Sequence, residues 1–208
     1  MAVNGHAPSL RLVDGLTLPD RHRALLKPGT AIRNRDGESH RLPQFFFEIE
    51  SWAAALQMQL TAHFALWEFM DVDLHEPTRL RFFPRYVPCA VTALAAALEV
   101  FRAEVGAPVR IAANGGYRSA SHDGSRSGSP HSWGTAANIY RIGSEQLDAQ
   151  DRIERYAATA RRLLPFAWVR PYGHDVGTAD DHLHLDVGYL TLVPQGASEQ
   201  DDGAIAYE

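Results

Sequence analysis

The chain has 208 residues, of which 45% are hydrophobic and 22% are charged, and its formal net charge is -5 with the ten histidines counted as neutral. This composition is that of an ordinary soluble globular protein, which excludes a disordered or fibrous chain, and the length suits one domain with a full hydrophobic core. The acidic balance gives no basic surface of the kind that tracks phosphate groups, so nucleic acid is not an expected partner.

Cysteine usage and the start of the chain bear on the cellular compartment. Cys89 is the only cysteine, so no intramolecular disulfide can form and nothing calls for an oxidising compartment. The first fifteen residues lack the basic start and apolar run of a signal peptide, and no later segment is apolar for long enough to cross a bilayer. We therefore expect a cytoplasmic protein without a membrane partner. The sequence indicates no particular oligomeric state.

The amino-terminal half predicts an arm and two helices. Residues 1–43 are rich in Pro, Gly, Asp and Arg without a sustained period, which predicts an extended arm with short turns. From Phe45 to His63 good helix formers dominate and apolar residues stand close to helical spacing, which predicts an amphipathic helix. Apolar residues recur at steps of three and four up to residue 105, where Gly106 follows, so a second helix is predicted over 88–105.

The carboxyl-terminal half predicts short strands around one more helix, followed by a loose acidic tail at 195–208. We therefore predict an α+β fold, with residues 44–194 as a single domain that begins with a helix. The predicted elements of this half are a strand at 108–113, a loop at 119–129, a helix at 143–164, and strands at 166–169 and 182–192.

Three short motifs carry the candidate chemistry: GYRS at 116–119, SPHSWGTAAN at 129–138, and DHLHLD at 181–186. Side chains two apart on a strand share a face, so His182, His184 and Asp186 are expected to point one way while the alternating leucines enter the core. An isolated pair of histidines is more often a hydrogen-bonded structural pair. Together with His131 in the second motif, the pair favours a site for a divalent metal ion, for which imidazole is the commonest ligand.

The order and spacing of these motifs resemble those of the zinc D-Ala-D-Ala carboxypeptidases and their relatives in the hedgehog/DD-peptidase superfamily. The chain is thus similar to peptidase family M15. The pattern of that family is G-Y-R-S, then S-x-H-x-x-G-x-A-x-D, then an acidic residue and H-x-H, and the resemblance covers about residues 64 to 188. It implies a hedgehog/DD-peptidase-like domain in which a small antiparallel sheet, flanked by helices, carries one Zn²⁺ ion per chain.

The resemblance also implies the metal ligands. His131 and His184 stand at two ligand positions, and Asn138 stands where the family has a zinc-binding Asp. A carboxamide oxygen is neutral and a poorer donor than a carboxylate, so zinc should bind more weakly here. The metal could bind through Asn138, or through a recruited His182 or His122. The alternatives are another divalent metal with different chemistry, or a cleft that only binds.

Three further residues match catalytic positions of the family. Asp181 matches the general base, Arg118 the arginine that binds substrate or the oxyanion, and His182 a residue that supports the site or touches the transition state. The implied activity is that of a metallo-carboxypeptidase-like hydrolase, a peptidase or amidase for cell-wall peptides that contain D-Ala. A cytoplasmic enzyme would reach the wall only after lysis or by another release route. A binding module for a peptide or protein, and a repurposed metalloenzyme acting on a small metabolite, are the alternatives.

Other reactive or aromatic residues receive simpler interpretations. Trp168 is assigned to the core, whereas Trp133, inside the second motif, suits packing and substrate contact equally well. Tyr172 and His174 precede the last strand and are candidates for the wall of the cleft. Cys89 has no predicted base nearby, so nucleophilic catalysis through its thiol is not expected.

Overall fold

Small antiparallel sheets and four α-helices make up the part of the chain that the structure describes, so the predicted α+β class is confirmed. None of these helices is both long enough and apolar enough to pass through a membrane. From residue 196 on, the predicted loose tail lies outside the described residues. The computed structural model describes residues 10–70, 74–125, 128–174 and 180–195.

Residues 10–43 are folded, and the prediction of an extended arm is wrong for them. They contain β1 (Arg11–Asp14), α1 (Asp20–Leu26), β2 (Ala31–Arg33) and β3 (Ser39–Arg41). β2 and β3 pair with each other, and Leu26 and Leu42 are buried at 3% and 2% exposure. Elements of three to seven residues are too short for a hydrophobic period to show in the sequence, which is why the pattern predicted no regular structure.

The single helix predicted from Phe45 to His63 is also wrong. The chain instead forms β4 (Phe45–Ile49) and the short helix α2 (Trp52–Gln57). Consecutive aromatic residues fit the pleated surface of a strand, and β4 pairs antiparallel with β1. The hydroxyl of Ser51 accepts the amide N–H of Ala54 at 3.1 Å, which fixes the start of the helix after the strand has ended.

The two longer helices follow the predicted periodicity. After β5 (Arg85–Pro88), which pairs with β4, α3 runs over Val91–Val105 and α4 over Gln150–Leu163, so both predicted helices are present. The predicted start of the second of these helices at residue 143 is wrong, because residues 145 and 146 form a short strand before the helix begins. Gly106 ends α3 with a φ of 63°, a left-handed conformation that glycine adopts without strain. One face of α3 is fully buried in the main core, through Leu94, Leu98 and Phe101.

The largest sheet holds the predicted site motifs. Its strands are β6 (Val109–Ile111), β7 (Ala136–Ile142), β8 (Glu145–Gln146), β9 (Trp168–Val169) and β10 (Leu183–Asp186). They are all antiparallel, in the order β6-β7-β10-β9, and β8 pairs with β7. Leu183 and Leu185 are fully buried on the side of the sheet that faces the core. The predicted strands are present, although the last one ends at Asp186 because the chain turns at Gly188 with a φ of 77°.

The thiol of Cys89 lies inside the protein at 2% exposure, and burial raises its pKa to about 12. Because the thiolate is the reactive form, we expect Cys89 not to react with a chromogenic disulfide reagent at neutral pH while the protein is folded. The same sample in denaturant should react completely, as followed by absorbance. Fast reaction of the native protein would contradict this prediction.

Candidate metal site

Asn138 and His184 meet on the face of the largest sheet opposite the buried leucines. The two residues are direct partners in the register of β7 and β10, so their side chains share one face. The Nδ1 atom of His184 lies 2.8 Å from the Oδ1 atom of Asn138. Both residues are buried, at 9% and 7% exposure. Two of the three predicted metal ligands are therefore in contact.

His131, the third predicted ligand, comes to the same place from a single 3₁₀ turn, Pro130–Trp133. Its ring centroid lies 5.2 Å from that of His184, and its exposure is 3%. Its Nδ1–H donates to the carbonyl of Gly116 at 2.7 Å, so the lone pair is on Nε2. Burial, together with the nearby charges of Arg118 and His184, lowers the pKa of His131 well below the usual value for histidine. The ring is therefore neutral and able to ligate.

The GYRS segment is pinned behind His131 by its backbone. A Cβ atom on Gly116 would lie 2.5 Å from the carbonyl oxygen of Phe69, so only glycine allows this close approach. The amide N–H of Tyr117 donates to the same carbonyl at 2.8 Å, and the amide N–H of Arg118 donates to the carbonyl of His131 at 3.2 Å. The predicted turn therefore fixes the carbonyl of Gly116, which orients His131, and it also fixes the backbone of Arg118.

Asp186 supports His184 from the other side, a role that the sequence interpretation missed. The Nε2–H of His184 donates to Oδ2 of Asp186 at 3.1 Å, and Asp186 is 5% exposed. Its Oδ1 accepts the amide N–H of Gly188 at 2.9 Å, which holds the carboxylate in place. The signal was present in the sequence, because residues two apart on a strand share a face and this spacing lets a carboxylate orient a ligand histidine.

The donor set of these residues fits a divalent ion. With Nε2–H committed to Asp186, Nδ1 of His184 carries a lone pair that faces Oδ1 of Asn138. Two such atoms need a proton or a cation between them, which an imidazolium, a reversed Asn138 amide or a bound metal ion would supply. Two imidazole nitrogens and one oxygen suit zinc and other borderline metals. Across the described ranges, no three His, Cys, Asp or Glu side chains form a metal-binding group, since the third donor here is an amide.

Two of the predicted catalytic residues, Asp181 and His182, directly precede β10. The Nδ1–H of His182 donates to Oδ1 of Asp181 at 2.7 Å, and the Nη2 group of Arg170 donates to Nε2 of His182 at 3.2 Å. Burial lowers the pKa of His182; Asp181 opposes this effect, and Arg170 and His184 add to it. The carboxylate side chain of Asp181 is 66% exposed. His182 thus connects Asp181 to Arg170, which fits the supporting role among the two predicted for it.

Arg118 and His122 lie on the segment that leads to His131, and backbone groups fix both of them. The Nε–H of Arg118 donates to the carbonyl of Asn114 at 2.6 Å, its amide N–H donates to the carbonyl of His131 at 3.2 Å, and its positive charge lowers the pKa of His131. The Nδ1 atom of His122 accepts the amide N–H of Gly124 at 2.8 Å, and the residue is 5% exposed. Arg118 therefore belongs to the site by its charge, whereas His122 is part of the loop structure.

The structure corrects the interpretation of one tryptophan and decides between the two alternatives for another. The assignment of Trp168 to the core is wrong, since Trp168 is 45% exposed and packs its ring against His184 at 5.5 Å between centroids. Trp133 is fully buried, and its Nε1–H donates to the carbonyl of Arg41 at 2.8 Å. Its ring packs edge-on against Tyr189 at 4.9 Å. Trp133 is therefore a packing residue, and Trp168 borders the site.

Comparison of the chain with models of protein families, with curated proteins and with solved structures finds no match in any of the three. The resemblance to the zinc carboxypeptidases therefore depends on the motif residues themselves. Function has to be argued from the geometry and chemistry of the site, because a fold class alone does not define an activity.

Proposed function

We propose that the protein is a metal-dependent peptidase or amidase of the zinc D-Ala-D-Ala carboxypeptidase type, with a hedgehog/DD-peptidase-like fold. One observation carries the proposal: His131, Asn138 and His184 converge on one buried face, and an oxygen acceptor holds the outer nitrogen of each histidine. Outer acceptors of this kind are typical of metal-ligating histidines. The expected substrates are peptides that end in D-Ala, or a related amide.

Within the proposal, Asp181 is the general base. A zinc ion held by the three ligands would supply the Lewis acidity that polarises a scissile carbonyl and makes water nucleophilic near neutral pH. Asp181 takes the proton from the attacking water and later gives it to the leaving amine. The exposure of its carboxylate leaves it accessible to substrate, and the Nδ1–H of His182 orients it. Arg170 holds His182 and lies 3.8 Å from Asp180, so it stabilises this arrangement.

Arg118 is the substrate-binding group in this mechanism. Its backbone is fixed to the carbonyl of His131 and its Nε–H to the carbonyl of Asn114, so its guanidinium is oriented before substrate arrives. A planar guanidinium suits the terminal carboxylate of a peptide, or the negative oxygen that develops during attack on the amide. The first role binds and positions the substrate, the second stabilises charge that develops in the transition state, and neither requires proton transfer by the arginine.

Metal content tests the proposal. We expect about one zinc per chain in protein purified without chelator, and its loss in His131→Ala and His184→Ala. Asp186→Asn keeps all three ligands but removes the charged acceptor of His184, so zinc affinity should fall by roughly 10- to 100-fold. Asp148→Asn is the matched control, since Asp148 pairs on the surface with Arg152. Hydrolysis of D-Ala-terminated peptides should follow the bound zinc.

The amide of Asn138 favours a second candidate, a non-catalytic or repurposed relative of the same fold. A neutral third donor binds zinc more weakly than the carboxylate of the family pattern. Iron or copper at the same stoichiometry would indicate a repurposed enzyme. Protein that takes up no metal even after incubation with zinc would contradict the hydrolase and leave a module that binds peptides or a protein partner.

A further inference from the structure

Trp168 stands on the same face of the sheet as the candidate ligands. In the pairing of β9 with β10, Trp168 is opposite Asp186 and Val169 is opposite Leu185. Val169 and Leu185 are buried in the core, at 4% and 0% exposure. Because successive side chains of a strand alternate between faces, the indole of Trp168 projects toward His184 and Asp186. β9 is the last strand in the sheet order, so the indole lies at the margin of the site.

Packing accounts for only part of the Trp168 surface. Its ring packs edge-on against His184 at 5.5 Å and 66°, and against His174 at 5.4 Å and 71°. About half of the residue nevertheless remains exposed, whereas Trp133 shows that this fold can bury a tryptophan completely. A single exposed apolar side chain is ordinary, but an aromatic ring in contact with buried, convergent polar groups is an arrangement that small-ligand sites use.

We propose that Trp168 is a specificity-determining residue that receives the apolar side chain or ring next to the scissile amide. The inference depends on the proposed function, because it requires substrate to bind at His184, whose ring centroid lies 5.5 Å from that of Trp168. Arg118, whose backbone is fixed to the carbonyl of His131 and whose Nε–H donates to the carbonyl of Asn114, suits the carboxylate of a peptide. The substrate class is therefore an acidic peptide or acylated amino acid with an apolar group beside the amide.

Two small metal-binding acids separate the contribution of Trp168 from that of the metal. Acetohydroxamic and benzohydroxamic acid share one chelating group and differ in a methyl and a phenyl group. We expect the zinc-loaded protein to prefer the phenyl compound, as measured by calorimetry, and Trp168→Ala to reduce this preference by roughly 3- to 10-fold. Trp168→Phe should retain most of it, because an aromatic face remains.

Controls make each outcome decisive. Trp168→Ala should hold as much zinc as the unmodified protein, and Phe82→Ala, which removes a different exposed ring, should leave the preference unchanged. If both compounds bind but the preference is the same with and without Trp168, the inference about Trp168 is overturned alone. It is also overturned if zinc binds and neither compound does. If the unmodified protein takes up no zinc, the proposed function fails together with the inference.

Discussion

Asn138→Asp is expected to raise the zinc affinity of the protein by roughly tenfold or more. The substitution adds a negative charge at an atom that lies 2.8 Å from Nδ1 of His184, within a set of three candidate ligands that are otherwise neutral. Opposite charges about 4 Å apart gain about 4 kcal/mol at an effective dielectric of 20. Pairing of the new carboxylate with His184 in the metal-free protein offsets part of that gain. Hydrolysis of D-Ala-terminated peptides should increase with affinity if the proposed function is correct.

Competition with a chelator of known affinity measures this change. Asn138→Ala is the control, because it removes the oxygen donor without adding charge and should weaken zinc binding. The double variant Asn138→Asp with His131→Ala should show little of this gain in zinc affinity, since the two remaining donors, on β7 and β10, do not complete the site. Equal affinity in the asparagine, aspartate and alanine forms would show that residue 138 is not a ligand.

Trp133→Ala is expected to lower the free energy of unfolding by about 3 to 5 kcal/mol. Trp133 is fully buried, and its indole N–H donates to the carbonyl of Arg41 in β3. Its ring also packs on Tyr189, which stacks against His40 at 3.7 Å between centroids. Truncation would leave a cavity between the turn that carries His131 and the amino-terminal hairpin, so zinc binding should weaken as well.

Urea unfolding followed by circular dichroism measures the loss without relying on tryptophan fluorescence. Trp133→Phe keeps most of the volume but leaves the carbonyl of Arg41 without its donor, so we expect a smaller loss of about 1 to 3 kcal/mol. Trp168→Ala, at a half-exposed position, should change stability by much less than Trp133→Ala. Equal losses at the two positions would contradict the packing role given to Trp133.

The sequence predicted best what local pattern encodes. α3 was predicted because apolar residues recur at helical steps up to a glycine that can take a positive φ. His131 and His184 were predicted as partners because their motifs have the spacing of a known family, and the structure brings their rings to 5.2 Å. The helix depends on neighbours within a few residues along the chain. The pairing of the two histidines was predictable because the family pattern already places distant motifs in one site.

Features that depend on distant partners were not predictable in the same way. β4 directly precedes a run of good helix formers and was predicted as part of the same helix, and its strand conformation depends on pairing with β1 and β5, which lie elsewhere in the chain. Trp168 was assigned to the core and Trp133 was left between packing and substrate contact, because exposure is decided by which face of a strand or turn meets the core. Asp186 shares a face with His184 in the predicted strand, but only the contact between the two side chains in the structure gives it a role.

The candidate site is built from residues that lie far apart along the chain. His184 and Asn138 are separated by 46 residues, and Trp133 and Arg41 by 92. Neither contact can form before the chain has closed loops of that length, and contacts of this kind belong to slowly folding topologies. During folding, the environment of the His184 imidazole therefore becomes native only when the native topology has formed. The helical circular dichroism signal of α3 and α4 reports only local structure.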